Sequence, residues 1–370
     1  LVDDVLETLQ QLAAFHRRQL GTPVIGITGT NGKTTTKELM AAVLKEKYNI
    51  LYTQGNLNNH IGVPLTLLKL NAEHELAVIE MGASHQGEIA LLAEIARPNF
   101  GIVTNVGKAH LEGYGSFENI MKTKAELYQY IARNGKLVFI HSGNPFLWEM
   151  AEEAGLLEES NKKIMEYVVG ASENPAVISG QVVESTPFLK MNCRTFNGSF
   201  EVQTNIVGGY NAENLMAAVT IGTYFGIENE AIKRGLENYQ PQNNRSQFVE
   251  TQKNKLIVDA YNANPSSMTA SISNFIEIKN PDKWLILGDM LELGSQSEEE
   301  HQAVIRLLEK NNVKNIFLVG SEFKKVNSGF LHFDNVEMLN NYLTEKPLSG
   351  YIVLIKGSRG IKLENVVNNL

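Results

Sequence analysis

A single cysteine, Cys193, stands among 370 residues, so no intrachain disulfide is possible and a reducing compartment, the cytosol, is expected. No apolar run approaches the ~20 residues that cross a bilayer. The opening Leu1-Val2-Asp3-Asp4 is acidic where a signal peptide would be basic and then apolar, and no membrane partner is expected. Basic charge is also short: 33 Lys and Arg against 41 Asp and Glu leave a net −8. That balance argues against a nucleic-acid partner, which needs a basic face, but not against a nucleotide held by a few local donors. The eight histidines include none at zinc-binding spacing. Repeats, low-complexity tracts and coiled-coil heptads are missing as well. What remains is an ordinary globular composition, long enough for two or three domains.

The chain alternates short β-rich runs with helical patterns. An opening helix is marked by Val2, Val5, Leu6, Leu9, Leu12, Ala13 and Phe15 and ends at Gly21-Thr22-Pro23. Strands are predicted at 24–28, 77–80, 101–106 and 136–140, with helices over 34–47, 87–96 and 117–132 between them. This is the pattern of a parallel sheet covered by helices, an α/β fold. From about Tyr167 to Ile206 no helix is readable, and a small antiparallel patch is expected. Helices return at 211–225 and 228–239. The polar break Pro241-Gln242-Asn243-Asn244 is the expected domain boundary, dividing residues 1–243 from 244–370, and a candidate hinge. Beyond it a second α/β alternation begins, with strands at 256–259, 284–287, 316–319 and 351–355. Asn264-Pro265 reads as a helix start, and Gln296 to Glu300 as an acid-rich one.

The strongest local signal is Val24-Ile25-Gly26-Ile27-Thr28-Gly29-Thr30-Asn31-Gly32-Lys33-Thr34-Thr35-Thr36. A buried strand enters a glycine-rich turn, and lysine and hydroxyl residues then open a helix. Backbone N–H groups and the positive end of the helix suit phosphate oxygens. Lys33 would reach the β- and γ-phosphates, and the Thr34 hydroxyl would meet Mg²⁺. The spacing departs from the strict Walker form, which would put glycine where Ile27 stands.

Gly29-Thr30-Asn31-Gly32-Lys33-Thr34, with Thr35 after it, resembles the ATP loop of the Mur ligases and folylpolyglutamate synthases. The resemblance implies a P-loop central domain followed by a Rossmann-like C-terminal domain, and ATP with two Mg²⁺ ions as cofactors. Glu80, in Glu80-Met81-Gly82, then matches a metal ligand, although position alone would equally suit a capping or solvated acid. His110, in Asn105-Val106-Gly107-Lys108-Ala109-His110, matches a ligand of the second ion. Lys124 matches the lysine that Mur ligases carry as a carbamate, supporting a cation; alone it would read as a solvated helix lysine, and Lys122 keeps the choice open. Asn211 resembles a nucleotide contact, or is an N-cap; Arg245 resembles an arginine that reaches the phosphates. Asp259-Ala260-Tyr261-Asn262 looks like the family's ribose and adenine segment, with Asp259 on a hydroxyl and Asn262 on the base.

Two further resemblances point to the branch whose substrates are UDP-N-acetylmuramoyl-tripeptide and D-alanyl-D-alanine. Thr53-Gln54-Gly55-Asn56-Leu57-Asn58-Asn59-His60 resembles the loop facing the muramoyl-peptide, which makes Asn58 and Asn59 donor-side candidates. Gly288-Asp289-Met290 to Gly294 and Lys356-Gly357-Ser358-Arg359-Gly360 resemble segments near the acceptor, where Lys356 or Arg359 would pair with its carboxylate. A monomer is expected. Family members normally carry an N-terminal domain that grips the UDP end. No segment of this chain matches it, and the chain starts with Leu1, so weak grip on the donor beside intact ATP binding is the expectation.

Overall fold

The computed structural model describes residues 1–109, 111–158, 163–242, 244–326 and 328–370, Leu111 by its backbone alone. Strands β1 (Val24–Thr28), β2 (Ile50–Tyr52), β3 (Leu76–Glu80), β4 (Phe100–Val103), β5 (Leu137–His141), β6 (Ile164–Val169), β7 (Ile178–Glu184), β8 (Phe188–Thr195) and β9 (Gly198–Val207) form one sheet, in the order 2-3-1-4-5-6-7-8-9. Neighbours from β2 through β7 pair in parallel, and β7, β8 and β9 pair antiparallel. The predicted antiparallel patch is therefore an extension of the main sheet. All positions of β1 and β3 are buried, as parallel strands coated on both faces must be.

One face carries the helices Lys33–Leu44, Ala212–Tyr224 and Asn229–Asn238, packed through Leu39, Met40, Leu215 and Ile232. The other carries Val5–Leu20, Glu88–Ala96, Phe117–Asn134 and Pro145–Glu153, through Ala13, Leu92, Tyr128 and Leu147. The opening helix leaves Val5, Leu12 and Phe15 exposed and is pinned by buried Arg17, which donates to Ala96 O and Asn99 Oδ1.

A second sheet comprises β10 (Gln247–Glu250), β11 (Lys255–Asp259), β12 (Lys283–Gly288), β13 (Ile316–Val319), β14 (Leu331–Phe333) and β15 (Ile352–Lys356), in the order 10-11-15-12-13-14. Only β10 runs antiparallel to its neighbour. Asn243, at the expected boundary, lies outside the described residues.

Several expectations shift. β4 ends at Val103 rather than at Val106, because Thr104 and Asn105 turn to hydrogen-bond the glycine-rich loop. Asn264 caps its helix in a reciprocal box with Ser267, as read from Asn-Pro. Gln296 makes no side-chain cap. Asn211 stands at the N-cap position of its helix but makes no side-chain cap either. It sits in a 3-10 turn, Gly209–Asn211, with its amide turned to Val207 O and Ser246 Oγ.

Candidate active site

Ligands of open α/β sheets settle beyond the carboxyl ends of the strands, where the strand order switches direction. β1 occupies that place here, between β3 and β4. Its glycine-rich turn is braced by the loop after β4. Thr30 N and Asn31 N donate to Asn105 O and Oδ1, both at 2.9 Å, and Thr104 Oγ1 donates to Asn31 O at 2.6 Å. Gly29 and Gly32 adopt φ of 142° and 78°. Thr104 Oγ1 and Asn214 Oδ1 press close enough to leave no room for a Cβ at either position. The helix Lys33–Leu44 has no side-chain cap, and its first residues line a cleft of about 820 Å³. Lys33 Nζ folds over the loop, 2.7 Å from Gly29 O and 3.0 Å from Thr30 O. Burial pulls its pKa down to about 8, Glu80 pulling the other way and Arg245 adding to the fall.

Glu80, at the end of β3, is buried. Its Oε1 accepts from Thr34 Oγ1 at 3.1 Å and from Asn58 Nδ2 at 2.8 Å, while its buried Oε2 has no hydrogen-bond partner. A hydroxyl and an under-satisfied carboxylate beside a phosphate loop are hard oxygen donors of the kind Mg²⁺ takes, with phosphates and water completing the shell. Among the described residues no group of three or more His, Cys, Asp or Glu stands close enough together to hold a metal ion. His110 lies outside the described residues.

Lys124 is buried and donates to Tyr114 OH at 3.3 Å, whereas Lys122 is exposed. Burial, then the nearby Lys33 charge, lower the Lys124 pKa to about 7. A lysine so placed is in large part a free amine near neutrality, the form that adds CO₂.

The second sheet closes the cleft. Asp259 and Lys356 face each other in register at the ends of β11 and β15, joined by a 2.6 Å ion pair. Burial opposes the Asp259 charge, but Lys356 and the Ser271 hydroxyl hold its carboxyl below the usual aspartate value. The Arg245 guanidinium stacks 3.7 Å from the centroid of Tyr261, with its Nε buried and unpartnered. Exposed Arg359 lies farther out, 5.5 Å from the same ring.

The cleft brings together Thr30 to Thr35, Asn58, Asn59, Glu80, Asn211, Arg245, Asp259, Asn262 and Lys356. Gly29, Lys124 and Arg359 are not part of the lining. Sequence reasoning passed over Asn105, which clamps the loop. It also missed Asn214, which accepts from Thr36 Oγ1 at 3.0 Å and donates to Asn211 Oδ1 at 2.8 Å. Ser246 was missed too; it bonds Tyr210, Asn211 and Asp259. A turn-forming Asn or a lone Ser carries no spacing signal, because its partner is a long-range one.

A parallel-sheet phosphate loop opposed by a second α/β unit defines a class that family comparison names. Residues 27–222 match the Mur ligase middle domain and residues 244–359 the Mur ligase glutamate ligase domain. The chain belongs to the Mur ligase family. It is 35% identical over 385 residues to the UDP-N-acetylmuramoyl-tripeptide–D-alanyl-D-alanine ligase of Bacillus subtilis (strain 168), covering 100% of this chain and 80% of that relative. Among solved structures, MurF from Acinetobacter baumannii superposes with a TM-score of 0.86 at 32% identity, over 100% of this chain and 81% of that one. The MurF ligase from Thermotoga maritima in complex with ADP gives 0.84 at 27% identity, over 100% and 84%.

Proposed function

We propose that the chain is an ATP-dependent ligase joining D-alanyl-D-alanine to UDP-N-acetylmuramoyl-tripeptide through an acyl phosphate, in the cytosol. The observation that carries this reading is one cleft with the phosphate loop and buried Glu80 on one wall and Asp259, Asn262 and Arg245 on the other. It occurs in a chain that matches ligases of that name along its whole length.

A carboxylate is a poor electrophile. In the proposed reaction a donor carboxylate oxygen attacks the γ-phosphorus of ATP, the bond to ADP breaks, and an acyl phosphate forms. The acceptor amine then adds to the carbonyl carbon and gives up a proton, and inorganic phosphate leaves as the amide forms. The chain's part is placement and charge neutralisation. The first-turn amides and Lys33 hold the phosphates, and Arg245 approaches them from the other wall. Asp259 holds ribose, Asn262 the base, and Asn211 the nucleotide from beneath. Thr34 and Glu80, with His110, are proposed to hold Mg²⁺, which supplies charge neutralisation at the transferred phosphoryl group. Lys124, rather than the exposed Lys122, is the proposed carbamate site: its amine adds CO₂, loses a proton and becomes an anion that supports a cation. Asn58 and Asn59 face the donor. Lys356 is already engaged by Asp259, which favours Arg359 for the acceptor carboxylate. Residues 1–243 and 244–370 are the proposed working halves.

Phosphate release with the UDP-linked tripeptide and ATP should require D-alanyl-D-alanine, with meso-diaminopimelate, L-lysine and L-glutamate giving background rates. Equal release with any of these three would overturn the assignment.

A further inference from the structure

Lys37 is a fully buried lysine with no part in the chemistry above. Lysine is rarely found fully buried unless it is paired, so its partners indicate why it is there. Its Nζ donates to Thr53 O at 2.6 Å, pairs with Glu38 Oε1 at 2.9 Å and stands 3.9 Å from Glu80 Oε2. Residues three apart share a helix face. Thr34 and Lys37 therefore both reach Glu80, the hydroxyl at Oε1 and the ammonium toward Oε2. Thr53 completes the hold, since its hydroxyl accepts from Glu80 N at 2.9 Å. Asn58, a few residues along the same segment, donates to Oε1.

We propose that Lys37 is a positioning residue: its ammonium, shared between Glu38 and Glu80, keeps Oε2 turned inward and Oε1 toward Thr34, and so sets how tightly the site takes a divalent cation with its nucleotide. The proposal rests on Glu80 being the cation's ligand, and the test separates the two ideas. Binding of Mn²⁺ by the full chain with saturating ADP is followed by electron paramagnetic resonance for the parent, Glu80→Gln, Lys37→Gln and Lys37→Met, and ADP affinity without divalent cation is measured beside it. Outer-shell partners of metal ligands typically carry 10–100-fold in metal affinity. Both Lys37 variants should thus bind Mn²⁺ about tenfold more weakly, with metal-free ADP affinity within about twofold of the parent. The Mg²⁺ concentration giving half-maximal phosphate release should rise in step, while turnover at saturating Mg²⁺ changes much less. Unchanged Mn²⁺ affinity in a folded Lys37 variant overturns the proposal, as does an equal loss of metal-free ADP binding, which would mark Lys37 as core packing only. If Glu80→Gln itself leaves Mn²⁺ binding intact, the reading of Glu80 fails instead. Should neither Lys37 variant fold, Glu38→Gln decides. Freed from Glu38, the ammonium closes on Glu80 and competes with the cation, so Mn²⁺ affinity should fall about threefold or more; no change overturns the proposal.

Discussion

At the scale of single residues, two ammonium groups whose pKa burial lowers, Lys124 and Lys33, pull stability and function in opposite directions. Lys124 titrates at about 7 in the fold against 10.5 as a free side chain, burial being the main cause and Lys33 the second. Between those pH values the unfolded chain binds more protons than the folded one, so this group's contribution to stability improves as pH rises through the window and is least favourable below about 7. Lys124→Met should therefore unfold at a higher denaturant concentration than the parent at pH 6.5 in CO₂-free buffer, by an amount on the order of 4 kcal/mol. The gain should shrink toward pH 10, and a pH-independent difference in urea melts would contradict the assignment of cause. Lys33 is a separate case, since its charge sits over the glycine-rich loop proposed to receive phosphate. Lys33→Ala should leave the thermal midpoint unchanged or higher yet lower acceptor-dependent phosphate release by roughly 10²–10³-fold, the usual cost of removing one preorganised charge-stabilising group. Lys33 was readable in the sequence because a strand, a glycine turn and a helix surround it. The environment of Lys124 was not, because its burial depends on the turn at Tyr114 and on a helix that packs from elsewhere in the chain.

At the scale of elements, the glycine turn has been shaped by its neighbours. A Cβ on Gly29 would stand 2.0 Å from Thr104 Oγ1, and one on Gly32 2.4 Å from Asn214 Oδ1, both at positive φ. Gly29→Ala and Gly32→Ala should each cost about 1–3 kcal/mol in urea unfolding and weaken ADP binding in calorimetry, because the amides proposed to face phosphate move with the backbone. Asn264→Ala removes a capping box and the 2.8 Å bond from its amide to Asn31 Oδ1 in the loop. It should cost about 1 kcal/mol of stability and lower ADP affinity as well, whereas Asn335→Ala, at a cap remote from the cleft, should show the first effect alone. These elements also mark what was legible. β1, β3, β11 and β15 are buried apolar runs bounded by turn formers, and their rhythm stands in the sequence. β2, β10 and β14 are three or four residues long, too short for any period, and exist because a neighbouring strand offers an edge. The overlong reading of β4 fails for a related reason. Thr104 and Asn105 look like strand continuation, but their hydrogen bonds go sideways into the phosphate loop.

At the scale of the whole molecule, the cleft exists only because two sheets meet. The meeting combines an apolar seam, where Phe188 meets Phe248 edge-on at 5.2 Å and Tyr114, Ile120 and Val207 join the core of the second unit, with polar contacts. Asn264 reaches Asn31, the Lys108 amide donates to Ser266 Oγ at 3.1 Å, and the Lys108 ammonium pairs with Glu300 at 2.8 Å. Exposed ion pairs contribute little, about 0–1 kcal/mol, so opening between turnovers would mainly have to part the apolar seam. In the proposed reaction such opening is the route by which product leaves, as in many enzymes whose domains close over a substrate. A covalent lock can test it. A Cβ on Gly107 would lie 3.4 Å from the Ser266 Cβ, just under the ~3.5–4.5 Å that a disulfide spans, so a shift of about a tenth of an ångström or more would admit the bond. The sole native cysteine is no competitor, since Cys193 is buried and burial pushes its thiol up to about 12. The double variant Gly107→Cys/Ser266→Cys, oxidised, should lose acceptor-dependent phosphate release by about tenfold or more and regain it on adding dithiothreitol. The reduced form serves as its own control for any local damage at the loop. If the oxidised protein turns over as fast as the reduced one, with the cross-link verified by mass spectrometry, the two sheets work as one rigid body and the chemistry completes its cycle without separating them.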